Sequence, residues 1–203
     1  MLIALFLACS TASTPIAVAD LPTPIEASAK ASLGQAAPDF SLPDVDGTIH
    51  TLADHSGKVV VLEWFNPGCP FVKAAYSKDV VQDLAASHAT DAVWLRINSG
   101  SAGKQGAGAD ENRRAARKWD MEGPVLLDTS GAVGKAYGAK TTPQIVVIDA
   151  QGMVRFNGAL DNAPLGASQG EYKPYAGTAI AAVLSGSELT VTKPKPWGCS
   201  VKY

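Results

Sequence analysis

The residue whose type and surroundings best suit chemistry in this sequence is Cys69. It follows the loop Asn66-Pro67-Gly68 and stands immediately before Pro70, where a helix is expected to begin because proline is well tolerated in a first turn. A thiol is a nucleophile only as its thiolate, and the partial positive charge at a helix N-terminus stabilises that anion. Lys73, one turn on, could add positive charge, although a solvated lysine is the commoner outcome. The competing reading of Cys69 is a buried, inert cysteine of the kind that cores often contain.

A second thiol, Cys199, lies in a Pro- and Lys-rich tail from Lys193 to Tyr203. If a Cys69 thiolate reacted with an oxidant or a disulfide, Cys199 on a mobile tail could attack to resolve the product. The long loop so closed adds little penalty, because closure entropy grows only logarithmically with length. Two other readings stay open: a permanent disulfide that staples the tail and contributes about 2–4 kcal/mol, or pairing of Cys199 with another chain. Two widely separated cysteines and the scattered His50, His55 and His88 offer no ligand pairs at metal-site spacing, so no metal is expected and the histidines read as surface residues.

Other residues near Cys69 are weaker candidates. Trp64, Asn66 and Pro67 flank the thiol and could position a substrate, although a tryptophan in such a strand is more often core. Glu63, within an apolar strand, could pair locally or face solvent. Thr142-Pro143 opens a strand, a place where proline forfeits a ladder hydrogen bond unless the chain turns sharply, and a cis peptide would account for it.

Apolar periodicity supplies the elements that must hold these residues. Pro38 to Leu42 and Thr48 to Leu52 alternate around Asp46-Gly47 and predict a small hairpin. Lys58 to Phe65 is a near-continuous apolar run, the pattern of a central strand buried on both faces. A helix from Pro70 through Val72, Tyr76, Val80 and Leu84, followed by a strand over Asp91–Asn98, makes a right-handed crossover and hence a parallel pair. Beyond a flexible stretch from Ser99 to Gly108 come a helix (Ala109–Trp119), a short strand (Pro124–Asp128), a short helix (Gly131–Tyr137) and a hairpin of Gln144–Asp149 with Met153–Asn157. A last helix over Thr178–Leu184 leads into the tail.

The chain has 203 residues, 46% hydrophobic and 18% charged, which fits one compact core with appendages. A net charge of -2 and the absence of a basic stripe give no reason to expect nucleic acid. The apolar run Met1–Ala8 is too short to span a bilayer, and Ala17-Val18-Ala19 before Asp20 has the small-residue pattern of signal-peptidase cleavage. Residues 1–19 therefore read as an export signal, 20–33 as a linker, 34–186 as the domain and 187–203 as the tail carrying Cys199. The expected location is periplasmic or secreted, where the two remaining cysteines could form a lasting disulfide. Membrane attachment is expected only if Cys9 is lipidated, a reading weakened by Phe6, which stands where an aliphatic residue is usual.

An apolar strand ending in Trp64, Cys69 before a helix, and Thr142-Pro143 before a hairpin together resemble the thioredoxin superfamily. More narrowly, Gly34-Gln-Ala-Ala-Pro-Asp-Phe-Ser-Leu42, Asp44 to Gly47 and Val59 to Trp64 are similar to its redoxin, or alkyl hydroperoxide reductase/thiol-specific antioxidant, branch. Trp64-Phe-Asn-Pro-Gly-Cys-Pro-Phe-Val-Lys73, Tyr137-Gly-Ala-Lys-Thr-Thr-Pro143 and Gly198-Cys-Ser-Val-Lys-Tyr203 resemble a bacterial peroxiredoxin-like subgroup.

The resemblance implies an α/β, thioredoxin-like fold: a central mixed sheet flanked by helices, with an N-terminal β-hairpin. It implies a thiol–disulfide oxidoreductase with Cys69 as reactive thiol and Cys199 as resolving cysteine. Trp64, Asn66, Pro67, Thr142 and Pro143 would shape the substrate cleft, and Glu63 would be a buried carboxylate assisting proton transfer. No metal or organic cofactor is implied, and the substrate would be a protein or small thiol or disulfide, or a peroxide. Two departures stand out. Val72 occupies the place of the second thioredoxin cysteine, and Asn66 occupies the place of the peroxiredoxin threonine. A thiol-dependent peroxidase and a non-catalytic binding protein with a structural Cys69–Cys199 bond are the alternatives, and the oligomeric state is open.

Overall fold

The structure is a computed structural model that describes residues 30–168 and 170–203. The expected export signal, the lipidation site at Cys9 and most of the expected linker lie outside these residues. The linker's last residues are docked: the Ala31 N–H donates to the Ala136 carbonyl at 2.9 Å.

A small antiparallel hairpin, β1 (Ser41–Pro43) and β2 (Ile49–Thr51), precedes the main sheet. Its turn is closed by Asp44, whose carboxylate accepts the Asp46 and Thr48 N–H groups at 2.8 and 3.0 Å. The main sheet contains β3 (Val59–Trp64), β4 (Ala92–Asn98), β5 (Val125–Leu127), β7 (Gln144–Ile148) and β8 (Val154–Gly158), in the order β5-β4-β3-β7-β8. β3, β4 and β5 are parallel, whereas β7 is antiparallel to both β3 and β8. This is the thioredoxin-like fold, with a mixed central sheet between helical layers.

The sheet's central strands alternate between two apolar layers because successive side chains point to opposite faces. Val59, Val61 and Phe65 join a core with Val72, Tyr76 and Ile180, while Val60, Leu62 and Trp64 join another with Phe40, Val133 and Tyr137. Helices α1 (Pro70–Ser77), α2 (Val80–Ser87), α3 (Ala109–Lys118) and α5 (Tyr175–Ser185) contribute to the first layer. Helix α4 (Ala132–Tyr137) and the hairpin contribute to the second.

Three expectations require correction. The single helix expected after Cys69 is two helices, because Asp79 adopts a left-handed conformation (φ 57°) between them. Aspartate tolerates that region better than most residues, and at the break the Tyr76 carbonyl accepts the Asp79 N–H at 3.2 Å and the Gln82 side chain at 2.8 Å. The last helix begins three residues before Thr178, at Tyr175. The tail is not loose: two short strands, β6 (Thr141–Thr142) and β9 (Cys199–Ser200), pair antiparallel, so the end of the chain is docked against the start of β7.

Candidate thiol site

Cys69 is the N-cap residue of α1, in the loop that follows β3, and its side chain makes no capping hydrogen bond. Its side chain is 0% exposed. In the thiol form Sγ donates to the Thr142 carbonyl at 3.2 Å. Thr142, 2% exposed, precedes Pro143 through a cis peptide bond and lies opposite Cys199 in the β6–β9 pair. Cys69 and Cys199 are both free thiols.

The surroundings separate the two thiols. Burial is the largest influence on Cys69 and pushes its pKa up, but the Cys199 thiol, the Val72 N–H and the Thr142 side chain, as donors available to a thiolate, outweigh it, and the net shift is down. Thr142 Oγ1 has no partner while Cys69 is protonated, so its hydroxyl is free to turn toward a thiolate. Cys199 moves the other way, to about 11, through burial first and then through its hydrogen bond to, and repulsion by, Cys69. Cys69 is therefore the thiolate of the pair and Cys199 the donor.

The loop before Cys69 is shaped by Asn66, which is buried. Its carboxamide oxygen accepts the Gly68 N–H at 2.8 Å and its nitrogen donates to the Gln105 carbonyl at 3.0 Å. Gln105 returns a hydrogen bond to the Gly68 carbonyl at 3.2 Å. Segment 99–108, expected to be flexible, is tied down by a further set of amides: Asn98 donates to the Gly106 carbonyl and to Asn112, which in turn bonds the Gly106 and Gly108 carbonyls. Asn98 and Asn112 are residues that sequence reading passed over, because an asparagine at a strand end or in the first turns of a helix gives no sign of burial.

Pro67 is buried beside Asn66, and Pro143 is buried at the start of β7. Trp64 is a correction to the expected cleft. It is 0% exposed in the layer opposite Cys69, with its indole N–H on Ser99 Oγ at 3.1 Å and its ring 5.6 Å from that of Tyr137. In this conformation it holds the strand end, away from the Cys69 side of the sheet. Lys73 is exposed, and its ammonium makes no hydrogen bond to the thiol, which is bonded to the Thr142 carbonyl instead.

Glu63 is on the same face of β3 as Cys69, but its hydrogen-bond partners lie elsewhere. Oε2 accepts from the Tyr76 hydroxyl at 2.8 Å and the Trp94 indole at 2.9 Å, and Arg96 Nε stands 3.6 Å away. Arg96 donates to the Tyr76 hydroxyl at 2.7 Å and to the Glu122 carbonyl. Burial pushes the Glu63 carboxyl above its ordinary range, with Arg96, Trp94 and Tyr76 pulling it partly back. A signal for this pair was present in the sequence: Arg96 is a charged residue within the apolar strand β4, and the parallel register sets it directly beside Glu63. Among the described residues no cluster of His, Cys, Asp or Glu could hold a metal ion, and no helix is long and apolar enough to cross a membrane.

The fold and a thiol at a helix N-terminus beside a cis-proline define a thioredoxin-superfamily protein. Residues 33–157 match the AhpC/TSA family, and the chain belongs to that family. Among curated relatives, the thioredoxin-like protein YneN of Bacillus subtilis (strain 168) is 27% identical over 60% of this chain and 68% of its own. The thiol-disulfide oxidoreductase ResA of Geobacillus thermodenitrificans (strain NG80-2) is 26% identical over 61% of this chain and 67% of its own. Among solved structures, a hypothetical protein from Sinorhizobium meliloti 1021 superposes with a TM-score of 0.76 at 27% identity, over 85% of this chain and 94% of the other.

Proposed function

We propose that this protein is an exported thiol–disulfide oxidoreductase in which Cys69 is the nucleophile and Cys199 the resolving thiol. The observation that carries the reading is the position of Cys199: it pairs across the β6–β9 ladder with Thr142, the residue whose carbonyl accepts the Cys69 thiol at 3.2 Å. The family match and the ResA relative support redox chemistry at a thiol.

In the forward direction the Cys69 thiolate attacks one sulfur of a substrate disulfide, forms a mixed disulfide and expels the other sulfur as a thiolate. Cys199 then loses its proton and attacks the Cys69 sulfur. The protein disulfide forms, the second substrate thiol leaves, and two electrons have passed from the protein dithiol to the substrate. Two of the influences that hold Cys199 near 11 are its hydrogen bond to Cys69 and the Cys69 charge. Both disappear once Cys69 is in the mixed disulfide, so the resolving thiol becomes easier to ionise when it is needed.

In this reading Asn66 and Pro67 shape the loop that presents Cys69, and Thr142 and Pro143 form the wall a substrate meets. Glu63 acts on the site through Tyr76 and α1 rather than by direct contact. The test is to treat the purified protein with oxidised glutathione, then with graded reduced glutathione, and follow both cysteines by thiol labelling and mass spectrometry. A Cys69–Cys199 bond that forms and reverses in the glutathione range supports the proposal. A bond that persists in millimolar reduced glutathione makes it a structural clamp and ends the catalytic reading.

A further inference from the structure

The tail that delivers Cys199 does more than carry a thiol. It runs beside β8, where the Asn157 and Ala159 N–H groups donate to the Thr192 and Pro194 carbonyls at 3.0 and 3.2 Å. Trp197 then crosses the front of α1, its ring 5.9 Å from Phe71 and its indole N–H on the Asp161 carbonyl at 2.6 Å. Gly198 (φ 125°) lies so close to the Thr142 carbonyl that a Cβ would collide with it, so only glycine admits the chain here. β9 follows on the edge of β6, and the Val201 N–H donates to the Lys140 carbonyl at 3.0 Å.

The end is fastened. The Lys202 carbonyl accepts the Ser101 N–H at 2.8 Å, and the Tyr203 hydroxyl donates to the Ala139 carbonyl at 2.7 Å. The Tyr203 ring fills a notch left by two glycines of the α4 region: a Cβ on Gly131 or Gly134 would stand 2.5 or 2.6 Å from Tyr203 atoms. Lys135 Nζ lies 5.4 Å over the ring. With this tail in place Cys69 has no exposed surface.

An extended polypeptide that brought its own cysteine to Cys69 would need the strand edge beside Thr142, since that is the backbone flanking the sulfur. The chain's own tail holds that edge and presents a cysteine there. We infer that the tail is a strap that competes, within the molecule, with extended polypeptide substrates for the β6 edge, and that Tyr203 is the latch setting the balance. The inference rests on the redox reading of Cys69 and adds its regulation. Oxidation joins Cys69 to Cys199 and closes the edge covalently, and reduction of that bond by a thiol donor returns it to the latch alone.

The experiment uses the full reduced chain with two activated disulfides of thionitrobenzoate: one on cysteine itself, the other on the cysteine of a ten-residue extended peptide. Thionitrobenzoate release is timed for wild type, Tyr203→Ala and Gly134→Ala, whose added Cβ would stand 2.6 Å from both the Tyr203 hydroxyl and Ser99 Oγ, with exchange of the Trp64 indole N–H as the control for the Ser99 side. Hydrogen exchange at Ser101 and Val201 reads the strap directly, with β3 amides as the folding control. We expect both variants to lose protection at Ser101 and Val201 and to raise the peptide rate about tenfold, the size expected for loss of a hydrogen bond and its packing. The small probe should gain no more than about threefold on the same scale. Unchanged exchange in both variants would overturn the latch. Lost protection with equal effects on both probes would overturn the competition while leaving the redox reading in place. Failure of Cys69 to react with either probe in any variant would overturn the redox reading, and the inference with it.

Discussion

The Thr142 carbonyl accepts the Cys69 thiol at 3.2 Å while Thr142 itself pairs with Cys199 across β6 and β9. One backbone position thus meets the Cys69 thiol through its carbonyl and stands opposite the Cys199 backbone through strand pairing. That arrangement sets two cysteines remote in sequence at one backbone position, which is what the proposed pairing requires.

The two thiols should titrate apart. Followed by ultraviolet thiolate absorbance, the reduced protein should show one step below the ordinary cysteine range, from Cys69, and one near 11, from Cys199. Cys69 reactivity rises as pH climbs through the lower step, because only the thiolate reacts. Cys199→Ala should abolish the upper step and move the lower one up, since the donor thiol is gone. Cys199→Ser, which keeps a hydroxyl donor, should move it less.

Removing the resolving thiol should trap the intermediate. With oxidised glutathione, Cys199→Ser should accumulate a mixed disulfide at Cys69, visible as one added glutathione by intact mass. Wild type should proceed to the internal disulfide, and Cys69→Ser should give neither product.

The buried pair under α1 should matter more to stability than to the chemistry. Glu63→Ala leaves Arg96 buried without its partner, and breaking such a pair costs about 3–5 kcal/mol; equilibrium denaturation measures it. Burial holds the Glu63 carboxyl above its ordinary range, so the native state binds this proton more tightly than the unfolded chain. Its contribution is full below the unfolded glutamate pKa and declines as pH rises through the folded one. Glu63→Gln should remove that slope from the stability profile.

Asn66→Ala should cost about 1–3 kcal/mol, because it removes two part-buried hydrogen bonds, from the Gly68 N–H and to the Gln105 carbonyl, each worth about 0.5–1.5 kcal/mol. The same variant should broaden the amide resonances of segment 99–108 and slow Cys69 in the glutathione assay. Unchanged resonances there would show that the loop does not depend on this amide.

Local pattern and local chemistry were enough to determine much of this protein. The apolar run of β3, the turn at Asp46-Gly47, the β7–β8 hairpin and the place of Cys69 before a helix are each written within a few consecutive residues, and the structure has all of them. Tertiary structure alone decided the rest. A strand buried on both faces carries no mark of which face a side chain takes, so only the packed sheet turns Trp64 away from the thiol and Glu63 under α1. At the helix break around Asp79, Lys78 reaches the Leu165 carbonyl and Gln82 the Tyr76 carbonyl, the first of them a distant contact. The docking of Cys199 beside Cys69 rests on Gly198, Trp197 and Tyr203 each meeting a partner from a distant part of the chain. No residue within reach of Cys199 along the chain foretells those meetings, because a tail becomes a strap only when the surface that receives it has folded.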